Sequence, residues 1–467
     1  MPSSTPHTRI VPLIVAAPMF LQNLDSSVMA TALPVMADSL HTDVLHLNLA
    51  ITSYLVSLVL FLPASAWLAD RYGARRVFCA ALLIFSAASA LCGVATSLPE
   101  LVLFRLLQGV GGAMMVPVGR LILLRTIPAE LMVAAMVWFT VPGGIGRLMG
   151  PLFGGAIVSV ASWRWIFLVN IPFGVCALLL ALRFIAKDAD TRETAAPLDI
   201  PGLALLAVAL GGLLGALEMV GKGFLPWPGT LALGLAGLAA LVIYVRRSRA
   251  LPDPLIDLNI LRFRSYRTTV VGGTPLRVAI GATPFLLPLL FQLAFGLSPM
   301  HSGLLTVSTA VGSLSTRGFV TWAVERVGYR QLLIVCGGIA SAAYAVYALF
   351  TPVTPEAWIV IVLVLAGIAN SMSLVILATI GYGEIPRNRM AHATALATMG
   401  QQLSVTLGVA VAASLVEFTH YLRGAGDSPL VTADFTPAFL VVAALPLVSA
   451  YAFWRLPPKT ALDAGGA

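Results

Sequence analysis

Long apolar runs are the feature that most constrains this chain. Only 10% of the 467 residues are charged, whereas soluble domains carry about 25%. Fourteen runs are each about long enough to cross a bilayer as a helix, and a helix satisfies its own backbone hydrogen bonds in lipid. They lie at 10–36, 47–68, 77–96, 100–126, 132–160, 165–185, 201–220, 229–245, 268–295, 301–323, 331–350, 357–380, 391–416 and 437–454. The chain is therefore predicted to be an all-α polytopic membrane protein with fourteen transmembrane helices.

One internal repeat indicates how these helices are grouped. Trp67–Arg75 aligns without gaps on Trp322–Arg330, 255 positions later, with Trp, acid, Arg, Gly and Arg in register. The offset contains eight helices, which is six plus two. We therefore predict an N-terminal six-helix bundle at 1–187, a linker with an inserted helix pair at 188–264 and a C-terminal six-helix bundle at 265–467. Repeated halves of this kind are typical of transporters.

The charged residues predict the orientation in the membrane. Most of the 28 Lys and Arg residues fall on one side of the predicted spans, and only Arg164, Lys222 and Arg423 fall on the other. The positive-inside bias then places both termini in the cytoplasm, as an even number of spans also requires. The net charge of +8 follows from this bias and does not indicate nucleic acid. The first apolar run is predicted to be a retained helix and not a cleaved signal.

Asp25 is the most informative polar residue, because it interrupts the apolar run at 10–36. An ionised carboxylate in hydrocarbon costs several kcal/mol, so acids that stay there are usually functional. Asp25 is either a proton or ligand site that faces a polar cavity, or a carboxylate statically paired with an arginine on a neighbouring helix. Five arginines also fall inside predicted spans: Arg105, Arg120, Arg147, Arg277 and Arg317.

Arg105 is the natural partner for Asp25. It lies three, four and seven positions before Gln108, Gly109 and Gly112, so all four residues share one helix face. Two polar groups and two glycines indicate a packed or cavity-lining face and not a lipid-facing one. The residues alone leave open whether the pair is structural or carries protons.

Two further patterns indicate helix packing and tight turns. Gly146, Gly150 and Gly154 form a small-residue ridge that permits close helix approach, and Pro151 is expected to kink that helix. The turn after the second span contains Asp70, Arg71, Gly73 and Arg75. Its acid could cap another helix N-terminus, and its arginines could simply orient the membrane insertion.

Three motifs resemble those of a known family, the major facilitator superfamily. Leu68–Arg76 resembles its motif A, Leu103–Gly112 its motif B and Gly143–Gly155 the antiporter motif C. Leu24–Pro34 and Trp163–Pro172 are similar to segments of the fourteen-helix drug:proton antiporters, the EmrB/QacA group. The run Gly111–Arg120 on the fourth predicted helix resembles the MdtD-like multidrug exporters of that group.

The resemblance implies a function and roles for these residues. It implies a proton-coupled antiporter that exports small molecules by alternating access across a bacterial-type cytoplasmic (inner) membrane. Asp25 and Arg105 would couple protons, motif A would latch the outward-facing state, and the glycine ridge would prevent leakage. Arg147 departs from the family, because relatives commonly carry a small residue or proline there. Its orientation is not predicted, which leaves the sealing role of the ridge open.

Polar residues on the predicted cavity helices are candidates for substrate binding. They are Gln22, Asp25, Arg120, Arg277, Gln292, Arg317, Asn370 and Gln402. Several arginines against one carboxylate would make a cavity electropositive and favour anionic or zwitterionic substrates. The opposing interpretation is that Arg105 neutralises Asp25 and that an apolar surface binds cationic drugs.

Other classes of protein lack their expected signatures. No Walker A loop, zinc-protease motif or metal-like cysteine spacing occurs, so we predict no ATP, metal or cofactor. A polytopic membrane enzyme would need clustered acids or histidines, and a passive channel would not need two motif A turns. The expected partners are membrane lipid, protons and a small-molecule substrate, without nucleic acid, and the chain is predicted to be a monomeric transporter and not an enzyme.

Overall fold

The described part of the chain is helical throughout. The computed structural model describes residues 7–127, 132–186, 199–219, 226–251, 254–316, 319–381, 384–386, 390–424 and 428–456. No β-strand occurs in these segments. The predicted all-α fold is therefore confirmed, and the described residues of each of the fourteen apolar runs are largely helical.

The first ten helices run to the end of the predicted inserted pair. They are α1 His7–Ser39, α2 Asn48–Phe61, α3 Ala64–Tyr72, α4 Ala74–Val94, α5 Leu98–Thr126, α6 Met132–Val160, α7 Trp165–Leu168, α8 Asn170–Phe184, α9 Ile200–Met219 and α10 Trp227–Ala250. The second predicted span is thus built from α2 and α3, which Leu62 and Pro63 separate.

The remaining helices include two π-helical turns. They are the 3₁₀ helix Leu258–Arg262, α11 Arg264–Arg267, the π turn Thr268–Gly272, α12 Thr274–Leu289, the π turn Leu290–Ala294, α13 Pro299–Ser315, α14 Val320–Val327, α15 Tyr329–Tyr347, α16 Glu356–Ile380, α17 Met390–Leu422 and α18 Thr432–Trp454. Together Arg264–Ala294 forms one continuous span.

The described helices are long and apolar enough for a multi-pass membrane protein. Eleven of them meet the length and hydropathy expected of a membrane span. Asn48–Phe61, with 14 residues, and the Met149–Val160 part of α6 are shorter apolar helical stretches. The exact count of fourteen crossings stays a prediction.

Helix contacts divide the chain into two compact units, Met1–Gly211 and Gly212–Ala467. The boundary lies within α9. The three-part division at 187 and 264 stays a prediction. In unit 1, α1 packs on α6 and α8, α4 packs on α5 and α8, and α2 packs on α5. In unit 2, the same pattern recurs, because α12 packs on α17 and α18, α15 packs on α16 and α18, and α13 packs on α16.

The sequence repeat has the same backbone geometry in both units. Gly73 follows α3 with a φ of 95°, and Gly328 follows α14 with a φ of 87°. Such positive φ angles strain residues that carry a Cβ atom. Each glycine N–H donates to the carbonyl four residues earlier, Ala69 O at 3.0 Å and Val324 O at 2.9 Å. The repeat read from the sequence is thus a repeated helix–turn–helix unit.

The glycine ridge of α6 forms the seam with α1. A Cβ atom on Gly150 would overlap Ser27 Oγ, and one on Gly146 would lie 2.5 Å from Phe20 O. At Gly154 it would lie 2.9 Å from Val28 O. Ser27 Oγ itself donates to Asn23 O at 2.7 Å. The prediction of close packing is therefore confirmed, and the backbones approach each other over two helical turns.

We expect Gly150→Ala to destabilise the protein, because its new methyl group needs the space of Ser27 Oγ. Overpacking of this kind costs about 1–3 kcal/mol. Gly211→Ala is the matched control, because Gly211 also lies within a helix and a Cβ there would meet nothing within 4 Å. The apparent unfolding temperature in detergent should fall for Gly150→Ala and hold or rise for Gly211→Ala. Equal temperatures for both variants would contradict the tight seam.

Candidate functional site: a buried carboxylate network

Asp25 and Arg105 form an ion pair inside unit 1. Arg105 Nη1 lies 2.5 Å from Asp25 Oδ2, and the two side chains are 1% and 0% exposed. They come from α1 and α5, which pack against each other. The predicted partnership is confirmed in its geometry, and neither group faces an open cavity in this conformation.

Two amides complete the surroundings of the carboxylate. Gln108 Nε2 donates to Asp25 Oδ1 at 3.2 Å, and Asn170 Nδ2 donates to the same oxygen at 3.1 Å. Both amides also donate to Ser89 Oγ, Gln108 at 2.7 Å and Asn170 at 3.4 Å. All of these side chains are fully buried. Four helices, α1, α4, α5 and α8, therefore meet at one polar cluster, which we name the Asp25 network.

Arg105 is fixed on its other sides as well. Its Nη1 also donates to Gln108 Oε1 at 2.6 Å, and its Nε donates to Ala50 O at 3.0 Å. The guanidinium carbon lies 4.4 Å from the centre of the Tyr54 ring, which is cation–π distance. Predicted neighbours on the α5 face pack here too, since a Cβ on Gly112 would lie 2.9 Å from Tyr54 Oη.

These contacts restrict where a proton could sit on Asp25. Its Oδ1 accepts two hydrogen bonds from N–H groups, and its Oδ2 accepts one. A carboxylate oxygen offers about two lone pairs, so a proton on Oδ1 would displace one of the amide contacts. Asn170 Oδ1 is buried and has no hydrogen-bond partner, and rotation of that amide would present an acceptor to a protonated Asp25. The cluster therefore contains the groups for two complementary hydrogen-bond arrangements, one around a carboxylate, which the structure shows, and one around a protonated acid.

The motif A residues lie at a charged, exposed turn. Asp70 Oδ1 accepts from Arg125 Nη2 at 2.7 Å, and both side chains are about half exposed. Arg75 Nη2 donates to Leu182 O in the last turn of α8. Arg71 is exposed. Within unit 1, Asp70 thus forms a surface ion pair, and the latch that the resemblance implies stays a prediction.

The predicted substrate-binding residues are dispersed over both units. Arg120 lies 6.0 Å from the Phe139 ring centre. Asn370 Oδ1 accepts from the buried Tyr344 hydroxyl at 3.0 Å, so this amide joins α16 to α15. Gln292 lies on the second π turn. Gln22, Gln292 and Gln402 are all partly buried.

Two of the intramembrane arginines cannot be placed. Arg317 lies outside the described residues, and for Arg147 only the backbone, within α6, is described. Pro151 lies inside α6 at a partly buried position, one residue after Gly150. The orientation of Arg147 and the sealing role of the ridge therefore stay open.

Sequence reasoning missed two members of the Asp25 network. Neither Asn170, which lies within the segment Trp163–Pro172, nor Ser89 has a role in the expectations from the sequence. An amide in the apolar run at 165–185 is a detectable signal by the argument that singled out Asp25. Ser89 offers no such signal, because serines are common in membrane helices.

A second buried carboxylate was also missed. Asp434 Oδ2 accepts from Val431 N at 2.9 Å and from Arg423 Nη2 at 2.9 Å, and His420 Nδ1 lies 3.2 Å from it. Its side chain is 0% exposed. An acid three residues into a helix commonly reaches back to the first free N–H groups, and this one caps α18. Among the described residues, no group of three His, Cys, Asp or Glu side chains is arranged to hold a metal ion.

Comparison with known proteins defines the class. The chain matches the Major Facilitator Superfamily over residues 16–409 and 283–466, and it belongs to that family. It is therefore a transporter and not an enzyme, as the motifs predicted.

Individual relatives match over nearly the full length. Two provisionally named multidrug resistance proteins MdtD are similar to it: one from Pectobacterium carotovorum, 37% identical over 96% of this chain and 95% of its own, and one from Escherichia coli, 36% identical over 96% and 94%. The predicted similarity to the MdtD-like group is confirmed.

Solved structures share the fold. A D-xylose–proton symporter superposes with a TM-score of 0.69 at 13% identity, over 97% of this chain and 98% of its own. A peptide transporter of the POT family superposes with a TM-score of 0.67 at 17% identity, over 97% and 98%. At these identities the likeness concerns the fold alone.

We expect a double-mutant cycle on Asp25 and Arg105 to give a large coupling. Removing one partner of a buried ion pair leaves an uncompensated charge, which costs about 3–5 kcal/mol. Asp25→Asn and Arg105→Gln should each lower the apparent unfolding temperature, and the double variant should be more stable than either single one.

The exposed pair Asp70–Arg125 is the matched control, because surface pairs contribute at most about 1 kcal/mol. The same cycle there, with Asp70→Asn and Arg125→Gln, should give nearly additive temperatures. Additive temperatures at Asp25 and Arg105 as well would show that the two charges do not depend on each other.

Proposed function

We propose that this protein is a proton-coupled exporter that carries a small molecule out of the cell as protons enter by alternating access. The observation that carries the proposal is the Asp25 network, a titratable carboxylate buried within a membrane-spanning bundle. Besides Arg105, amides from α5 and α8 converge on this carboxylate. Names of the relatives, which refer to multidrug resistance, support export.

The mechanism follows from the two hydrogen-bond arrangements of the network. In the arrangement seen here, the carboxylate of Asp25 accepts from Arg105, Gln108 and Asn170. A proton on Asp25 removes the charge that holds Arg105 and requires an acceptor in place of a donor. Because these residues come from different helices, exchange between the arrangements shifts the helices of unit 1 against one another. Proton uptake is in this way linked to conformation.

Two structural features assist this cycle in our proposal. The seam between α1 and α6 prevents leakage along the helices that carry Asp25, because glycines leave no gap there. At the two motif A turns, the positive φ angles of Gly73 and Gly328 let the short helices α3 and α14 end abruptly. In our proposal, these turns lie where the protein changes between its conformations. We further propose that the protein is a monomer in a bacterial cytoplasmic membrane with both termini in the cytoplasm.

We expect Asp25→Asn to abolish transport against a gradient while substrate exchange without a gradient continues. Asparagine has the shape of a protonated aspartate but cannot release a proton. A panel of cationic, neutral and acidic compounds would first be screened in proteoliposomes with an imposed pH gradient. Accumulation and exchange of the best substrate would then be measured for each variant.

Asp38→Asn is the matched control, because Asp38 is an exposed acid near the end of the same helix. It should transport as the wild type does. Asp25→Asn/Arg105→Gln removes both charges and serves as a folded reference without a lone buried charge. Uphill transport at the wild-type rate by Asp25→Asn would show that Asp25 is structural.

A further inference from the structure

A cavity inside unit 2 has an unusual lining. It has a volume of about 110 Å³ and lies between the first π turn with α12, the end of α16 and the first turns of α17. Apolar side chains form much of its wall. Its polar lining consists of Tyr266, Thr269, Arg277, Thr398 and Gln401. Among the described lining residues one carries a positive charge and none is a carboxylate.

Arg277 is held at this cavity by the π turn. Its Nη1 donates to Thr269 O at 2.8 Å and to Val270 O at 3.3 Å. A π turn displaces its carbonyls from the regular α-helical pattern, and such turns are frequent at functional sites. A guanidinium has five N–H donors in a fixed plane, so these two carbonyls fix the orientation of the fork at the cavity wall.

Glycines keep the space around this arginine open. A Cβ atom on Gly273 would overlap Thr269 O and lie 2.9 Å from Arg277 Nη1. On the facing end of α16, a Cβ on Gly381 would lie 2.7 Å from Thr269 Oγ1. A side chain at Gly273 or Gly381 would push against the cavity wall. At Gly273 it would also disturb the contact of Arg277 with the π turn.

The polar groups of the wall are suited to a carboxylate. Thr269 and Thr398 direct their hydroxyl hydrogens to Tyr266 O and Thr394 O, so these hydroxyls are committed to the backbone. Arg277 and the Gln401 amide are the lining groups whose N–H donors suit an anion. In a low-dielectric interior an arginine attracts an opposite charge strongly, and its planar fork matches a carboxylate.

We propose that this cavity binds the carboxylate group of a small organic acid, with Arg277 as its main ligand, and that acidic molecules are therefore among the substrates. This proposal depends on the proposed function in one respect only, because a bound acid is a substrate only if the protein exports small molecules. Binding at the cavity requires neither a proton gradient nor Asp25, so the two proposals can fail separately.

The test uses benzoate and benzamide, which share a ring and differ in charge at neutral pH. The native cysteines Cys79, Cys92, Cys176 and Cys336 would be replaced, and Ala378→Cys would place one thiol on the cavity wall. The measurement is the rate at which purified protein reacts with N-ethylmaleimide, an uncharged reagent, as benzoate or benzamide is added. The ratio of rates with and without the compound is compared within each variant.

We expect benzoate to slow the reaction and benzamide to leave it unchanged. Arg277→Gln should raise the half-protecting benzoate concentration at least about tenfold, because hydrogen bonds to a charged group are lost. Arg277→Lys keeps the charge without the planar fork. Its half-protecting benzoate concentration should fall between those of the parent and of Arg277→Gln. Arg183→Gln removes an exposed arginine in the last turn of α8. Benzoate should protect the cysteine of this variant as strongly as that of the parent.

Three outcomes would overturn the proposal: no protection by benzoate, equal protection by both compounds, or undiminished protection in Arg277→Gln. Protection in the Asp25→Asn background tests independence from proton coupling. If it persists there while uphill transport is lost, both proposals stand. If benzoate protects but Asp25→Asn still transports uphill, only the proposed proton site is wrong.

Discussion

The ion pair between Asp25 and Arg105 is the interaction on which the rest of unit 1 depends. Each charge alone would be strongly unfavourable in a membrane interior, and together they still need hydrogen bonds for their remaining donors and lone pairs. α2 supplies the Ala50 carbonyl and the Tyr54 ring, α5 supplies Gln108, and α8 supplies Asn170. Satisfying one buried carboxylate thus determines how several helices are arranged.

The helix seams are the second requirement of this arrangement. A polar cluster stays dry only if the helices around it leave no gaps, and glycine lets their backbones meet. The α1–α6 seam in unit 1 has a counterpart between α12 and α17 in unit 2, where a Cβ on Gly281 would lie 2.6 Å from Val405 Cα. Unit 2 has no equivalent of the Asp25–Arg105 pair among its described residues, and its described cavity is lined instead by Arg277. The two repeats therefore share a frame and differ in chemistry.

Much of the fold was predictable from the sequence, because the features that determine it are local or periodic along the chain. Apolar length predicted the helices, the repeat at 67 and 322 predicted two similar bundles, and glycine spacing predicted the α6 seam. The partnership of Asp25 with Arg105 was predictable because a membrane interior offers a carboxylate few alternatives. The contributions of Ser89 and Asn170 were not, because they depend on which faces of α4 and α8 turn inwards.

Other misses have similar physical causes. The π turn that orients Arg277 has no local signature, since Thr268–Gly272 is compatible with an ordinary α-helix. The ion pairs of Asp434 were hidden because its partners, Arg423 and His420, lie at the end of the preceding helix, across a loop from α18. Side-chain direction, and not the presence of helices, is therefore what sequence reasoning could not supply here.

The central claim is that Asp25 gains and loses a proton in the folded protein, and infrared difference spectroscopy tests it most directly. A protonated carboxyl group absorbs at a frequency distinct from a carboxylate, so titration of the purified protein in lipid should show a carboxyl band that grows on acidification. Exposed acids add to this band, so the prediction concerns the difference from the wild type. We predict that part of the band is lost in Asp25→Asn and kept in Asp434→Asn, which removes the second buried acid among the described residues. An unchanged band in Asp25→Asn would contradict the account.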